Sequence, residues 1–222
     1  STNVNVKFTD IGGSLTVYPM SGGKSLPLDH CNSVNVSSDT PFSSIVARDS
    51  SVVVNNGIDN SVTSYSQDGG AVQASFTCAG WNASSGTHAK GNEISLRNVV
   101  LSIGNFSWFD NVTMSGCTID NPIHVIPYAE RSNLLLECTF VGNTFGSNGY
   151  IAFGDSSVGN ADIYGVKVNN LVIKDNEFYT SGYGVMMPFY SNNAFEPYIA
   201  PLQELSAVYS GNVGSCPAES ID

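Results

Sequence analysis

The chain has 222 residues, a formal net charge of −11 and only eight lysines and arginines, which form no basic cluster. This composition argues against nucleic acids and anionic membrane surfaces as partners, because binding to them requires clustered cations. Charged residues make up only 12% of the chain, yet no apolar run approaches the roughly 18 residues of a membrane-spanning helix. Asn, Ser, Thr and Gly supply the polarity, so we predict an all-β protein of short strands and tight turns, without membrane insertion.

Residues 1–92 contain short alternating segments without a clear repeat. Leu15 and Val17, for example, alternate with polar residues, as expected for a strand with one buried face. Turn-forming clusters such as Asn55-Asn56-Gly57 separate these segments. We predict an irregular β region or a cap over residues 1–92.

The next part of the chain contains an imperfect repeat, in which an asparagine opens a short apolar ladder. The three copies are Asn111–Ile119, Asn133–Val141 and Asn170–Phe178. Their asparagines are separated by 22 and then 37 positions, which fits one turn of a β-solenoid and one turn with an insertion. Asn tolerates the left-handed corners of such a coil, and stacked Asn side chains can form a hydrogen-bonded ladder. The alternative is that Asn only marks surface turns. We predict stacked rungs over residues 93–180.

Residues 98–178 resemble the right-handed parallel β-helix of the pectate-lyase-like superfamily. The segments that carry the resemblance are Val112–Ile119, Leu134–Phe145 and Leu171–Phe178, each directly preceded by Asn. That superfamily includes phage tailspikes, receptor-binding proteins and polysaccharide-degrading enzymes, and the Asn-, Ser- and Gly-rich composition is similar to that of phage and virus surface proteins. The resemblance implies a β-helix; a viral jelly-roll β-sandwich is the alternative fold.

The C-terminal part, residues 181–222, is predicted to be a cap or an interface, although all three parts can also form one domain. Its prolines argue against a central strand, and Tyr and Phe are common at protein contacts. The candidate interface residues are Tyr179, Tyr183, Phe189, Tyr190, Phe195 and Tyr198.

Three carboxylates are candidate catalytic groups. Asp175 and Glu177 are two residues apart, which on one strand would place them on the same side and about 6.5–7 Å from each other. Paired carboxylates at that separation can hydrolyse glycosidic bonds. The repeat aligns Glu137 with Lys174, so a cation is expected beside this pair. The simpler interpretation is an exposed, solvated charge cluster.

A second cluster combines aromatic rings and carboxylates: Trp108, Phe109, Asp110 and Asp120. Rings can stack on the apolar faces of sugars while carboxylates accept their hydroxyl protons, so these are candidate ligand-binding residues. The alternative is that the rings belong to the core or to a subunit contact. The three histidines lack the spacing of metal ligands, and we predict neither a metal site nor a cofactor.

The five cysteines are Cys31, Cys78, Cys117, Cys138 and Cys216, so at least one is unpaired within a monomer. Cys117 and Cys138 occupy nearly equivalent places in adjacent copies of the repeat. They are predicted to be stacked small core residues or a bridge between rungs.

These features favour a non-catalytic structural or attachment protein at a virion surface or outside cells, with a host glycan as a ligand. Its expected partners are further copies of itself, as a trimer for example, or other virion proteins. Two alternatives are a polysaccharide depolymerase on a β-helix and a viral coat protein of the jelly-roll type.

Overall fold

The computed structural model describes residues 7–17, 25–36, 44–54, 64–77, 93–107, 111–126, 135–153, 167–181, 184–186, 188–191, 194–197 and 208–214. Every regular element in these ranges is a strand, and no helix there could cross a membrane. The strands are β1 Phe8–Thr9, β2 Ser14–Val17, β3 Ser25–Asp29, β4 Ser33–Val36, β5 Ser44–Val54, β6 Ser64–Thr77, β7 Glu93–Arg97, β8 Val100–Ser107, β9 Asn111–Ser115, β10 Thr118–Ile119, β11 Pro122–Ile126, β12 Leu135–Val141, β13 Thr144–Phe145, β14 Tyr150–Phe153, β15 Lys167–Lys174, β16 Glu177–Phe178, β17 Val185–Met186, β18 Pro188–Ser191, β19 Ala194–Pro197, β20 Val208–Ser210 and β21 Val213–Gly214.

Nineteen of these strands form one large, curled sheet, and β18 and β19 form a separate antiparallel pair. The pairings described within the large sheet are parallel, as in β9 with β12 and β12 with β15. Jelly rolls are antiparallel, so the alternative of a jelly-roll fold is wrong. The parallel stacking is compatible with the predicted β-helix. We call a strand, the corner that follows it and the next strand a rung.

The stack includes the N-terminal strands, for which the sequence shows no repeat. Phe8 pairs with Leu28, Leu28 with Ala47 and Ala47 with Gln67. The same column continues from Gln67 to Leu96 and from there into the C-terminal rungs. The strands described between Phe8 and Thr77 therefore belong to the same sheet as the predicted rungs.

The register inferred from the Asn repeat is right for its first and third copies, since Asn111 and Asn170 occupy equivalent positions, but wrong for the second. Asn111 pairs with Glu137 and Glu137 with Asn170, whereas Asn133 lies outside the described residues. The inward residues that follow equivalent corners are 26 positions apart from Cys117 to Asn143 and 33 apart from Asn143 to Asn176. The Asn repeat predicts spacings of 22 and 37. The repeat-opening asparagine is an outer strand residue, since the Asn111 side chain accepts a hydrogen bond from the Thr113 hydroxyl.

Each rung turns between its strands through one residue in the left-handed backbone region. Asn98 has a φ of 53° and Asp175 of 54°, while Gly116 and Gly142 take this position in the intervening rungs. Gly, and to a lesser degree Asn and Asp, adopt this region at low cost, which explains the residue types found there. The corners are Asp10, His30, Asp49, Gly69, Asn98, Gly116, Gly142, Asp175 and Gly211.

The residue after the corner points inward, and in the C-terminal rungs it is asparagine. The side-chain oxygen of the buried Asn176 accepts hydrogen bonds from the backbone N–H (2.9 Å) and the amide group (3.0 Å) of Asn143. Its own amide group donates to Asn212 at 2.9 Å and to the carbonyl of Phe140 at 3.0 Å. In the preceding rung the backbone N–H of Cys117 donates to Asn143 at 2.9 Å. An asparagine ladder thus exists, as predicted, but with different members.

A second buried polar network occupies the N-terminal rungs. The Gln67 side chain, 1% exposed, donates to the carbonyls of Ser50, Gly69 and Ala71 and accepts a hydrogen bond from the Tyr65 hydroxyl at 2.6 Å. The Ser50 hydroxyl accepts from the backbone N–H of Cys31 at 3.0 Å. Both networks satisfy polar groups that would otherwise be buried without partners.

The remaining interior is apolar and stacked in columns. One column contains Leu26, Ile45, Tyr65, Ile94, Val112, Cys138 and Leu171. The rings of Phe145 and Phe178 stack with centroids 4.7 Å apart. Cys117 and Cys138 are buried and unbridged, but they are not stacked, because Cys138 pairs with Val112 and Cys117 is a corner residue. Cys78 and Cys216 lie outside the described residues.

Asn176→Ala should lower the free energy of unfolding by about 3 kcal/mol, because it leaves buried donors on Asn143 and an acceptor on Phe140 without partners. Urea denaturation of both proteins measures the difference. Asn148→Ala, a matched change at an exposed turn, should stay within about 0.5 kcal/mol of the wild type. Equal losses for both variants would contradict a stabilising role for the ladder.

Gly70→Ala should destabilise the protein more than Gly142→Ala. Both glycines have a positive φ, which costs a residue with a Cβ roughly 1–2 kcal/mol. A Cβ at Gly70 would also collide with the backbone of Ser50, whereas nothing lies within 4 Å of one at Gly142. Thermal unfolding should therefore show a clearly larger loss for Gly70→Ala; the reverse order would contradict the close approach of these rungs.

Candidate ligand-binding surface

The catalytic candidates Asp175 and Glu177 do not share a strand. Asp175 is the left-handed corner residue before Asn176, and Glu177 begins β16. The Asp175 carboxylate lies over Gly211 of the next rung and is 3.8 Å from the Lys174 ammonium group. The inference that the two carboxylates lie on one side of a strand is therefore wrong, because Asp175 is itself the corner residue between β15 and β16.

Glu137 is also placed differently from its predicted register. It pairs with Asn170 at the start of β15, while Lys174 pairs with Val141 at the other end of that strand. The expected alignment of Glu137 with Lys174 is wrong, because it followed from the incorrect position of Asn133. Glu137 thus lies at the opposite end of the strand pair from Lys174 and from the Asp175 corner.

Of the predicted ligand-binding residues, Trp108, Phe109 and Asp110 lie outside the described residues. Asp120 is exposed directly after β10. Its carboxylate accepts a hydrogen bond from the backbone N–H of Asn148 at 3.2 Å and lies over Gly146, where a Cβ would collide with it. The turn of the following rung therefore holds the Asp120 side chain.

The predicted interface residues fall into three groups. Tyr179 is described and is 62% exposed. Phe189 and Tyr190 lie on β18 and Phe195 on β19, where Tyr190 pairs with Phe195. Tyr183 and Tyr198 lie outside the described residues.

Several of these candidates come from separate predictions but lie on one outer surface. The backbone N–H of Gly146 donates to the carbonyl of Ile119, and that of Tyr179 to Phe145. Asp120, Gly146 and Tyr179 therefore occupy the same position in three successive rungs. Glu177 and Thr144 pair beside them. We call Asp120, Thr144, Gly146, Glu177 and Tyr179 the Tyr179 surface.

The Tyr179 side chain is held by its neighbour two residues earlier in the chain. Its hydroxyl donates to the Glu177 carboxylate at 2.9 Å. This hydrogen bond and the negative charge of Glu177 raise the pKa of Tyr179, since both favour the neutral phenol. The hydrogen bond from its hydroxyl to Glu177 thus holds the Tyr179 ring on the surface.

The Tyr179 surface combines the groups that recognise carbohydrates. An exposed ring can stack on the apolar face of a sugar, and carboxylate and hydroxyl groups can bind its hydroxyls. Asp120 and Tyr179 are two rungs apart, roughly 10 Å at the usual strand spacing, and Gly146 adds no side chain between them. Across the described ranges, no group of three or more His, Cys, Asp and Glu side chains is arranged to hold a metal ion.

The sequence alone does not show that Tyr179 and Glu177 lie near Asp120, because their neighbourhood depends on how β10, β13 and β16 are aligned. The one feature of the sequence that could have revealed this alignment is the pair Phe145 and Phe178. These two rings stack in the core, so the residues that follow them, Gly146 and Tyr179, are also aligned.

Comparison with known proteins adds no identification. No protein family matches the chain, and no curated protein or solved structure matches it.

Glu177→Gln should lower the pKa of Tyr179 towards its ordinary value, because the charge that opposes formation of the phenolate is removed. NMR titration of the assigned tyrosine ring carbons at alkaline pH measures this. Glu137→Gln, which removes a carboxylate from a strand in another part of the sheet, should leave the Tyr179 titration unchanged. An unaltered pKa in Glu177→Gln would contradict the hydrogen bond.

Proposed function

We propose that the chain is a right-handed parallel β-helix that acts as a non-catalytic attachment protein, at a virion surface or outside cells, and binds a host glycan through the Tyr179 surface. The observation that carries this proposal is the Tyr179 side chain, which is 62% exposed and fixed by Glu177 at 2.9 Å. A large exposed ring that is held in one orientation loses little entropy when a ligand binds.

The architecture supports this role. Parallel strands stack in register, one left-handed corner follows another, and each rung covers the apolar face of its neighbour. Repeats stacked in this way form long, regular outer surfaces, which suit the binding of extended ligands. A right-handed β-helix is the arrangement that these features favour.

The negative net charge of the protein favours an uncharged ligand over an anionic one. With a net charge of −11, the protein repels polyanions, whereas neutral sugars do not depend on attraction between net charges. The location outside cells or on a virion is supported by the resemblance of residues 98–178 and by the low content of charged residues. Glycan attachment proteins gain from several copies, which agrees with the proposed homo-oligomer.

Tyr179→Ala should weaken glycan binding by about tenfold, which corresponds to about 1.4 kcal/mol. Binding of the full chain is measured on an array of neutral host-type oligosaccharides, and the affinity for each bound sugar is then determined by calorimetry. Tyr179→Phe should retain part of the affinity, because the ring remains but its bond to Glu177 is lost. Val46→Ala, at a residue 46% exposed on β5 before the corner and outside the Tyr179 surface, is the control and should bind like the wild type.

Unchanged binding by Tyr179→Ala would contradict the proposal. Release of reducing ends from the same oligosaccharides, abolished by Asp175→Asn, would instead support the polysaccharide depolymerase. Glycan binding without such release would favour attachment.

A further inference from the structure

A column of charged residues with alternating sign runs along the outside of the N-terminal rungs. Each member is the last residue of its rung before the corner. Asp29 pairs with Arg48, Arg48 with Asp68, and Asp68 with Arg97, so the charges follow the order minus, plus, minus, plus. We call these four residues the charge column.

The inner two members of the charge column are available to a partner. The Arg48 side chain is 61% exposed, and Asp68 and Arg97 are also exposed. Asp29 is more enclosed, with 15% of its side chain exposed, because Arg48 (3.0 Å), Lys7 (3.4 Å) and His30 (2.6 Å) contact it.

The column of described residues beside the charge column consists mostly of short side chains. Two positions before the charge column on each strand, a second column of outward-facing residues contains Val46, Ser66 and Ser95. Ser66 and Ser95 are short, and Val46 is a large apolar side chain that remains 46% exposed. Two sheets packed face to face lie about 10 Å apart, a distance that an arginine and an aspartate can span together.

The order of the charges distinguishes the ways in which two copies can pack. If two copies face each other with parallel stack axes and equal register, each aspartate meets an aspartate and each arginine an arginine. If the second copy is reversed about a two-fold axis parallel to the strands, the sequence reads plus, minus, plus, minus. The exposed Arg48 and Asp68 then face each other twice, and the exposed Arg97 lies twice opposite Asp29, which is more enclosed and already contacted by Arg48, Lys7 and His30 of its own chain.

We propose that this face is a self-complementary interface between two copies of the chain with antiparallel stack axes. A two-fold interface requires that the contact of residue i with residue j is repeated as j with i, and the charge column meets this condition. Opposite charges across an interface set its orientation and register, and like charges exclude the parallel arrangement. The Tyr179 surface belongs to later rungs, on strands after the corner, so the interface does not depend on the proposed glycan function.

Two single charge reversals test the interface without loss of the fold. Arg48→Asp changes the column to minus, minus, minus, plus, and Asp68→Arg changes it to minus, plus, plus, plus. Each variant opposes like charges when it pairs with itself. A mixed pair of the two variants, however, opposes unlike charges at every position.

Analytical ultracentrifugation of the full chain should show a dimer for the wild type and a dissociation constant raised roughly tenfold or more for each variant alone. An equimolar mixture of the two variants should recover the wild-type dissociation constant. Lys174→Asp, in the same column but beyond the alternating charges, is the matched control and should dimerise like the wild type. Raising the salt concentration to about 1 M should weaken the wild-type dimer.

A wild-type chain that remains monomeric would overturn the proposal. So would a mixture that associates no better than the separate variants, because charges that act only between rungs of one chain cannot be restored by a second chain. Circular dichroism of each variant confirms that the comparison is made between folded proteins.

Discussion

The backbone N–H groups at the corners are the constraint on which the stack depends. At each corner the chain leaves one strand, enters the left-handed region and turns an N–H group into the core. A buried N–H without an acceptor costs about 1–3 kcal/mol, and the cost recurs in every rung. In the C-terminal rungs the side-chain oxygen of Asn143, Asn176 or Asn212 accepts this bond from the rung before it. In the N-terminal part, the Ser50 hydroxyl accepts the equivalent bond from the backbone N–H of Cys31, which follows the corner at His30.

Because the corners fix the height and register of each rung, they also order the outer surface. Residues at equivalent positions stack about 4.8 Å apart, whatever the chain does between rungs. The charge column and the Tyr179 surface are both consequences of this alignment. Asp29, Arg48 and Asp68 come from three different strands, yet they form one line.

The class of fold could be predicted from the sequence, but the register could not. Alternating apolar residues and Asn-rich turns correctly indicated stacked β strands and an asparagine ladder. The prediction aligned Asn133 with Asn111, whereas Glu137 holds that position, because long segments between rungs allow several alignments. The better guide was a left-handed residue followed by an inward Asn, as in Gly142-Asn143, Asp175-Asn176 and Gly211-Asn212. A corner can instead be His30 or Asp49, so this pattern does not extend to the N-terminal rungs.

The same uncertainty in register explains the outcome for the candidate site. Residues close in sequence, such as Asp175 and Glu177, were assigned to one strand although Asp175 is a corner residue and Glu177 begins the next strand. Residues distant in sequence, such as Asp120 and Tyr179, could be associated only after Phe145 and Phe178 were known to stack. Residue types alone therefore suggested candidate groups, but which of them lie together required the structure.

The spacing between inward corner residues rises from 26 to 33 and then 36 positions, although the corners themselves remain stacked. The extra residues enter between rungs, where longer connections carry only a small entropic cost. The length of a connection between rungs therefore has little effect on the stability of the stacked corners. A connection between rungs can therefore differ in length, and with it what the molecule displays, while the hydrogen-bonded interior keeps the same arrangement.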